Sequence, residues 1–363
     1  MISATIVTIY DPTPNYGNRL QNYAVQFVLE RIDVSSKTVS FQKCELEWRK
    51  ELKYFAQKMT GYRLPGNKNY WRNEPARILT FNRFNKKFIH TERITAIDQI
   101  SKTDFYILGS DQVWNPTWYT DSVLKKDLFL LTFAKPEQKV CFSPSFSVDS
   151  LDDEWIPWFK EHLGTIPKLS VRENAGARII KELTGRDAVV TIDPTMMLNQ
   201  REWMSIAKQP KNVDCSGTYI LTYFLGGESL QAEHDINRYK DEIGVDNVYN
   251  LLDYNQPDIF VSGPSEFIYL IDHAQLILTD SFHACVFSFL FGKPFLCYDR
   301  IGVENSMNSR METLFTKFDL QRKYVNSGLP NELMECDYSK GYITLEKERE
   351  KMIHFLKESM SLK

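Results

Sequence analysis

Apolar and polar residues follow one another along the chain in an order that predicts strand, loop and helix repeatedly. In the first unit, the apolar stretch "ATIVTIY" leads through the polar loop "DPTPNYGN" into "RLQNYAVQFVLERI". Apolar residues of that last segment share one face at helical spacing. Strand and helix patterns that alternate in this way are typical of a parallel sheet. The pattern therefore predicts an α/β protein.

The same order continues through the N-terminal half. "DFYILGSDQVWNP" predicts a short strand that runs into a polar loop, and "KVCFSPSF" predicts the next strand. "PKLSVREN" precedes the helix "AGARIIKELTG", which is expected to end at Gly185, and "AVVTIDPTMML" predicts a strand that ends at Asp193.

The polar stretch 207–217 predicts a linker, after which the alternation begins again with "TYILTYFLGG". The segments "QLILTD", "SFHACVFSFLF" and "PFLCYD" then predict strand, helix and strand. We therefore predict two Rossmann-like domains, residues 1–206 and 207–340, that face each other across a central cleft. A C-terminal helix, residues 341–363, is expected to pack back on the body.

Composition and charge exclude several classes of protein. Of the 363 residues, 43% are apolar and 25% are charged, which is typical of a globular protein. A net charge of −3 provides no general attraction for nucleic acid. The N-terminus lacks the basic region of a signal peptide, and no apolar run has the length of a membrane span. A cytoplasmic protein is therefore expected. The six cysteines lack the spacing of zinc ligands, so no metal site is predicted.

The segment 61–93 carries eight Lys and Arg against two Glu, with apolar residues at roughly helical spacing. It predicts a helix that has an apolar seam and a basic exterior. The basic side is either a solvated face or a surface for the inner face of an anionic membrane and a lipid-linked acceptor.

His283 stands at the head of an apolar helix, just past the carboxyl end of the strand "QLILTD". Open α/β sheets bind ligands at that edge. Asp280 or Ser281 can cap the helix, and the free N–H groups of its first turn attract anions. His283 is either a core histidine bonded to backbone or a general acid or base, since an ordinary imidazole has a pKa near neutrality.

Arg172 lies at a similar place, between a strand and a helix. Its planar guanidinium suits a carboxylate or a phosphate. It is either a ligand-binding group or one half of a structural ion pair with a carboxylate such as Asp193. The segment that ends at Arg310 either closes over the cleft or is a surface loop.

Two polar loops follow predicted strands of the N-terminal half. An exposed tryptophan among hydrogen-bonding groups suits the face of a sugar, although a packed loop is the competing interpretation. The candidate residues of these loops are Asn15, Gly17, Asn18, Ser110, Asp111, Gln112, Trp114 and Asn115.

Six segments, taken in order, resemble the polysaccharide pyruvyl transferase family: "NYGNRLQNYAVQ", "ILGSDQVWNP", "LSVRENAG", "IDPTMML", "TDSFHACVFSFLFGKPF" and "NSR". The resemblance implies a fold similar to the two-domain glycosyltransferase type called GT-B. It also implies transfer of a pyruvyl group from phosphoenolpyruvate to two hydroxyls of a sugar, as a cyclic ketal. The product is then a capsule, exopolysaccharide or cell-wall glycan, and phosphoenolpyruvate is a co-substrate, with no further cofactor.

By the same resemblance, His283 and Arg172 are the catalytic pair. The donor is expected on the side of the C-terminal domain, at Ser281, Lys293 and Arg310 of that domain and at Arg172 of the N-terminal domain, and the acceptor at the two polar loops of the N-terminal domain. Members of the family often have an arginine two residues before the histidine, where this chain has Ser281. Lys293, Arg300 or Arg310 are the candidates to replace that charge.

Two other functions remain open from the sequence. One is a glycosyltransferase of the same two-domain type that uses a nucleotide-sugar donor. The other is a non-catalytic glycan-binding relative, for which Ser281 in place of the arginine is the main support.

Overall fold

The structure is a computed structural model that describes residues 2–10, 13–41, 68–119, 123–216, 218–245, 247–302, 308–329, 333–334 and 336–362. The helices and strands of the N-terminal half are β1 (Ile2–Val7), α1 (Tyr16–Arg31), β2 (Val34–Phe41), α2 (Lys68–Phe88), β3 (Thr91–Ile94), β4 (Phe105–Leu108), α3 (Val123–Phe129), β5 (Lys139–Cys141), α4 (Ile156–Gly164), β6 (Ser170–Val171), α5 (Asn174–Thr184), β7 (Val189–Val190) and α6 (Gln200–Met204).

The C-terminal half begins at the next strand. Its helices and strands are β8 (Tyr219–Tyr223), α7 (Leu230–Ile243), β9 (Asn247–Asn250), α8 (Pro257–Phe260), α9 (Pro264–His273), β10 (Leu276–Thr279), α10 (Phe282–Leu290), β11 (Phe295–Cys297), α11 (Asn308–Phe318) and α12 (Ser339–Ser359).

Each half is built on a parallel sheet. The N-terminal sheet has the spatial order β3-β2-β1-β4-β5, and the C-terminal sheet has the order β11-β10-β8-β9. Strands β6 and β7 form a separate short parallel pair. The N–H of Arg172, just after β6, donates to the carbonyl of Pro144, just after β5, at 3.0 Å. Helices connect most of the successive strands, as is usual for parallel sheets, whereas only a short 3₁₀ turn, Ile97–Gln99, lies between β3 and β4. The α/β class with two Rossmann-like domains is confirmed.

The helix boundaries follow local chemistry that the sequence already indicates. Asn15 begins α1, because its side-chain oxygen accepts the N–H of Asn18 at 3.0 Å. Ser281 begins α10 in the same way, with its hydroxyl 3.5 Å from the N–H of Ala284. Gly185 ends α5 with a φ of 71°, a left-handed conformation that glycine adopts without steric cost.

An apolar core continues from one half into the other. Tyr16 of α1 stacks on Phe267 of α9 with ring centroids 4.5 Å apart, and its hydroxyl donates to the carbonyl of Ser262 at 2.9 Å. Trp203 packs edge-on against Phe287 of α10, with centroids 5.0 Å apart. Burial of an aromatic side chain contributes about 1.5–3 kcal/mol. Apolar contacts that involve α1, α9 and α10 therefore stabilise the packing of one half on the other.

Two helices pack on the half to which they do not belong in sequence. In α2, the guanidinium of Arg77 donates to the carbonyls of Leu251 and Phe260 in the C-terminal half. In α12, Arg349 donates to the carbonyl of Met196 at 2.7 Å in the N-terminal half. Residues 61–67 of the predicted basic segment lie outside the described residues.

In the described part of the chain, no helix combines the length and the apolarity that are needed to cross a bilayer. The same described residues contain no group of three or more His, Cys, Asp or Glu side chains placed to hold a metal ion.

Candidate functional site

His283 lies at the junction of the two halves, in the first turn of α10 and just past the carboxyl end of β10. Its ring lies against the backbone of Gly17 in the first turn of α1. A Cβ atom on Gly17 would be only 2.0 Å from Nδ1 of His283. Only glycine leaves room for the imidazole at this position.

Asp193 is the carboxylate at the centre of the site, and it is fully buried. Its Oδ1 accepts the N–H of Thr195 at 2.9 Å and the hydroxyl of Thr195 at 2.7 Å. Its Oδ2 accepts from Nη1 of Arg172 and from the hydroxyl of Ser110 at 3.2 Å, and lies 3.8 Å from Nε2 of His283. Arg172 and His283 therefore approach the same carboxylate oxygen from the two halves.

Arg172 forms the ion pair with Asp193 that was one of its two interpretations from the sequence. The ion pair is made by Nη1 of Arg172, which is only one of the three nitrogen atoms of the guanidinium. Nε and Nη2 of Arg172 have no hydrogen-bond partner among the described residues, although both atoms are buried. Its guanidinium carbon lies 4.6 Å from the ring centre of Phe282. Buried N–H groups that lack an acceptor are costly, so this edge of Arg172 is suited to an anionic ligand.

Burial and neighbouring charges set the protonation of the two titratable groups. Burial raises the pKa of Asp193, but Arg172, His283 and the two bonds from Thr195 outweigh it and bring the pKa to about 2. Asp193 is thus ionised at neutral pH. Burial lowers the pKa of His283 below its ordinary value, against the attraction of Asp193 and Asp111. The resting imidazole is therefore neutral at pH 7.

Arg310 belongs to α11 and joins the site from the C-terminal half. Its guanidinium carbon lies 5.6 Å from the same Phe282 ring that Arg172 covers. Burial and the neighbouring charge of Arg172 lower the pKa of Arg310 to about 9. The guanidinium of Arg310 still keeps its proton at neutral pH. Its lowered pKa shows that Arg172 and Arg310 are two cations buried close together. The sequence left Arg310 in a loop, whereas it is a buried helical residue.

The other predicted donor residues are placed differently. The Ser281 hydroxyl is used as the helix cap, and the residue is buried. Lys293 lies beyond the C-terminal end of α10 at Leu290, which is roughly 10 Å along the helix axis from His283, and it does not join the group. Arg300 lies beside the Asp280 carboxylate, 3.4 Å from its Oδ2. Of the three candidates to replace the charge expected at position 281, Arg310 is the one that lies over the same ring as Arg172.

Part of the predicted acceptor region does meet His283. Asn15 and Gly17 belong to the start of α1, and the side chain of Asn18 donates to the Asp111 carboxylate. Asp111 adopts a φ of 82°, an unusual backbone conformation for a residue with a side chain. The loop after β4 is thus fixed against α1, directly beside Asp193 and His283.

The prediction of an exposed tryptophan is wrong. Trp114 is fully buried, its Nε1 donates to the carbonyl of Phe129 at 3.1 Å, and its ring packs against Phe146. Asn115 accepts the N–H of Thr117 at 3.1 Å and so caps a short 3₁₀ turn. Gln112 is partly buried beside them. This end of the loop is packed structure, which was the competing interpretation.

Three features of the site were missed or only partly anticipated from the sequence. Asp193 was one candidate partner in the ion-pair interpretation of Arg172, and its approach to His283 was not anticipated. Glu173 is fully buried and accepts the N–H groups of Phe146 and Ser147 at 2.8 and 3.2 Å. Phe282 lies under both arginines. For Glu173 and Phe282, the available signal was their position in the chain next to Arg172 and His283.

The space between these groups is small. A cavity of about 20 Å³ is lined by Arg172, Asp193, Phe282 and Arg310, together with neighbours of Asp193 and polar and apolar side chains of α11: Thr191, Ile192, Met196, Thr313, Leu314, Lys317 and Phe318. A cavity of this volume holds about one water molecule.

Solved structures with a similar chain path share little sequence with this protein. A UDP-GlcNAc 2-epimerase from Neisseria meningitidis is 12% identical with a TM-score of 0.44, over 99% of this chain and 94% of its own. One from Rickettsia bellii is 10% identical with a TM-score of 0.45, over 99% and 97%. The N-terminal domain of a trehalose-6-phosphate phosphatase from Candida albicans is 9% identical with a TM-score of 0.44, over 99% and 93%.

None of the curated proteins matches the chain. The family model of polysaccharide pyruvyl transferase matches residues 15–300, which is well over half of the chain. That span includes the Gly17 contact, the Arg172–Asp193 pair and His283, though not Arg310. The chain therefore belongs to the polysaccharide pyruvyl transferase family.

Proposed function

We propose that this protein transfers the pyruvyl group of phosphoenolpyruvate to two hydroxyls of a sugar, forming a cyclic ketal on a capsule, exopolysaccharide or cell-wall glycan. The observation that carries the proposal is the approach of Arg172 and His283 to one buried carboxylate oxygen, at the junction of the halves. A guanidinium edge and an imidazole side by side suit a small substrate that is an anion and needs a proton.

The donor site is built from fixed positive charge. Nε and Nη2 of Arg172 provide two N–H groups in one plane, which fits a carboxylate or a phosphate. Arg310 adds a second guanidinium, whose pKa is lowered by burial and by the charge of Arg172. An anion between the two guanidinium groups relieves their mutual repulsion. The N-terminus of α10 contributes its helix dipole at the same place.

The reaction then needs one proton on carbon and one leaving group. His283, as imidazolium, protonates the methylene carbon of the donor while a sugar hydroxyl attacks the adjacent carbon and loses its proton. The proton of the first hydroxyl returns to the imidazole of His283. The second hydroxyl then attacks the same carbon, the bond to phosphate breaks, and the proton of that hydroxyl leaves with the phosphate. The products are the ketal and inorganic phosphate, so atoms and charges balance without an oxidant or a reductant.

Binding of the donor supplies the protonated histidine. The resting His283 is neutral because burial lowers its pKa. A phosphate or carboxylate beside the ring favours the imidazolium and raises that pKa. Donor binding is therefore expected to take up a proton and to weaken as the pH rises. The proton is delivered only when the substrate is present.

The C-terminal half gives a reason to disfavour a nucleotide-sugar donor. The N–H groups of Leu225 and Gly226, at the carboxyl end of β8, donate to the Asp280 carboxylate at 2.7 and 2.8 Å. Arg300 lies beside the same carboxylate. Backbone N–H groups in such a loop are what the phosphates of a nucleotide use. Here they already have an acceptor within the chain.

The test is incubation of the purified protein with phosphoenolpyruvate and a panel of simple and lipid-linked glycosides. Phosphate release together with a product that carries one added pyruvyl group is expected. UDP-sugars in place of phosphoenolpyruvate are expected to give no product, and the reverse result would favour the glycosyltransferase. Replacing His283 with Gln should lower turnover about a hundredfold to ten-thousandfold if the histidine transfers the proton. Normal turnover in the folded variant would remove His283 from the mechanism.

A further inference from the structure

The site contains one group that touches both catalytic side chains and that the proposed mechanism does not yet use. Asp193 binds Arg172 within the N-terminal half and lies 3.8 Å from Nε2 of His283 in the C-terminal half. We propose that Asp193 is a positioning residue that holds Arg172 in place and determines, through its charge, how readily His283 takes up a proton. The catalytic consequence rests on the proposed function, whereas the electrostatic effect exists without substrate.

Asp193 is held too firmly to act as a mobile acid or base. Both bonds to its Oδ1 come from Thr195, which fixes the carboxylate at the start of a 3₁₀ turn, Pro194–Met197. Its Oδ2 accepts from Arg172 and Ser110. A carboxylate with four donors stays ionised, consistent with a pKa of about 2. It therefore presents a fixed negative charge to the ring of His283.

The distance to the imidazole indicates how this charge acts. At 3.8 Å, Nε2 of His283 is too far from Oδ2 for a hydrogen bond, so the interaction is between charges. Nε2 has no hydrogen-bond partner among the described residues. The atom therefore remains available to a substrate, while Asp193 lies close enough to stabilise the imidazolium. A direct hydrogen bond from Nε2 to Asp193 would instead direct the proton that the reaction needs toward the carboxylate.

The other charged groups around His283 make this stabilisation necessary. Arg172 and Arg310 oppose a positive charge on the ring, as does burial, while Asp111 joins Asp193 in favouring it. Asp193 is the largest of the attractive influences on the imidazole. Without its charge, the ring would face two guanidinium groups with only Asp111 to offset them. Donor binding would then not bring His283 to its protonated form at neutral pH.

The direct test is a titration of His283 by NMR in the resting protein. The chain has only six histidines, and the His283→Gln variant identifies the signal of His283. In Asp193→Asn the titration midpoint of His283 is expected to fall by about 1 to 3 pH units, as for loss of an opposite charge within 4–6 Å. Glu173→Gln is the matched control, because Glu173 is also a buried carboxylate beside Arg172 but bonds to backbone N–H groups. It should leave the midpoint unchanged.

A midpoint in Asp193→Asn equal to or above that of the wild-type protein overturns the proposal. The substitution leaves Arg172 buried without its counter-ion, which by itself threatens folding. The double variant Arg172→Met with Asp193→Asn removes both charges and keeps the experiment interpretable. Its midpoint is still expected below the wild-type value, because the attraction of Asp193 for the imidazolium exceeds the repulsion from Arg172. A higher midpoint in the double variant also overturns the proposal.

The same variants separate this inference from the proposed function. If Asp193 controls His283 and the protein transfers pyruvyl groups, the pH at which turnover is half-maximal falls in Asp193→Asn along with the NMR midpoint. A shifted NMR midpoint in a protein that releases no phosphate from phosphoenolpyruvate contradicts the proposed function alone. An unshifted midpoint in an active protein contradicts the role of Asp193 alone.

Discussion

The contact between Gly17 and His283 leads to a prediction in which two effects of one methyl group oppose each other. In most helices, alanine in place of glycine stabilises the protein by about 1 kcal/mol, because the chain loses less entropy on folding. At Gly17 the new Cβ would lie 2.0 Å from Nδ1 of His283, whereas ordinary contacts are 3.4–4 Å. The ring, or the whole half that carries it, has to move by about 1.4 Å or more.

The two effects can be weighed against each other. Extra volume in a packed interior costs about 1–3 kcal/mol. Gly17→Ala is therefore expected to change the free energy of unfolding by between about 0 and −2 kcal/mol, after the helical gain is included. In a His283→Ala background the ring is absent, and the same substitution should stabilise by up to about 1 kcal/mol. The coupling between the two positions is then about 1–3 kcal/mol.

The assay is urea unfolding of the wild-type protein, the two single variants and the double variant, followed as one thermodynamic cycle. Gly164→Ala is the matched control, because Gly164 is also helical and a Cβ there meets nothing within 4 Å. Turnover of Gly17→Ala should fall about a hundredfold, since a displacement near 1 Å of a catalytic group has that effect. If Gly17→Ala changes the stability equally in both backgrounds, or keeps full turnover, then the contact with His283 is not the reason for glycine at position 17.

Two further predictions concern the donor contact and the pH dependence of stability. Arg172→Lys is expected to raise the KM for phosphoenolpyruvate more than it lowers kcat, because an ammonium cannot replace the planar pair of N–H groups; an unchanged KM would leave Arg172 a purely structural role. For His283, the pKa is lower in the folded protein than in the unfolded chain, so the folded state binds fewer protons. The histidine therefore contributes stability above about pH 6.5 that is lost as the pH falls through its folded pKa. Between pH 8 and pH 5, the free energy of unfolding of His283→Gln should fall less than that of the wild-type protein, and parallel curves would contradict the lowered pKa.

Several elements of this protein follow from the order of its residues alone. The apolar run before Asp280 and the capping serine at 281 predict β10 and α10, and both are found. Gly185 ends its helix as expected, with a left-handed backbone. These predictions hold because capping, glycine conformation and apolar periodicity are local properties. They also place His283 at the carboxyl edge of a sheet.

The sequence could not place residues whose role depends on distant neighbours. Trp114 appears in a polar loop, yet its ring is buried against Phe146, which lies 32 residues further along the chain. Lys293 is ten residues from His283 in sequence, but a helix separates them. The strand Val34–Phe41 was not predicted, because most of its residues are small and polar.

The centre of the site was decided by tertiary structure. Gly17, Asp193 and His283 come from three separate segments, and nothing local brings them together. Gly17 follows β1, Asp193 follows β7 and His283 follows β10, and these strands belong to three different sheets whose packing brings the residues within contact distance. The sequence determined which groups stand at the end of each strand. The packing of the two halves determined that an arginine and a histidine share one carboxylate.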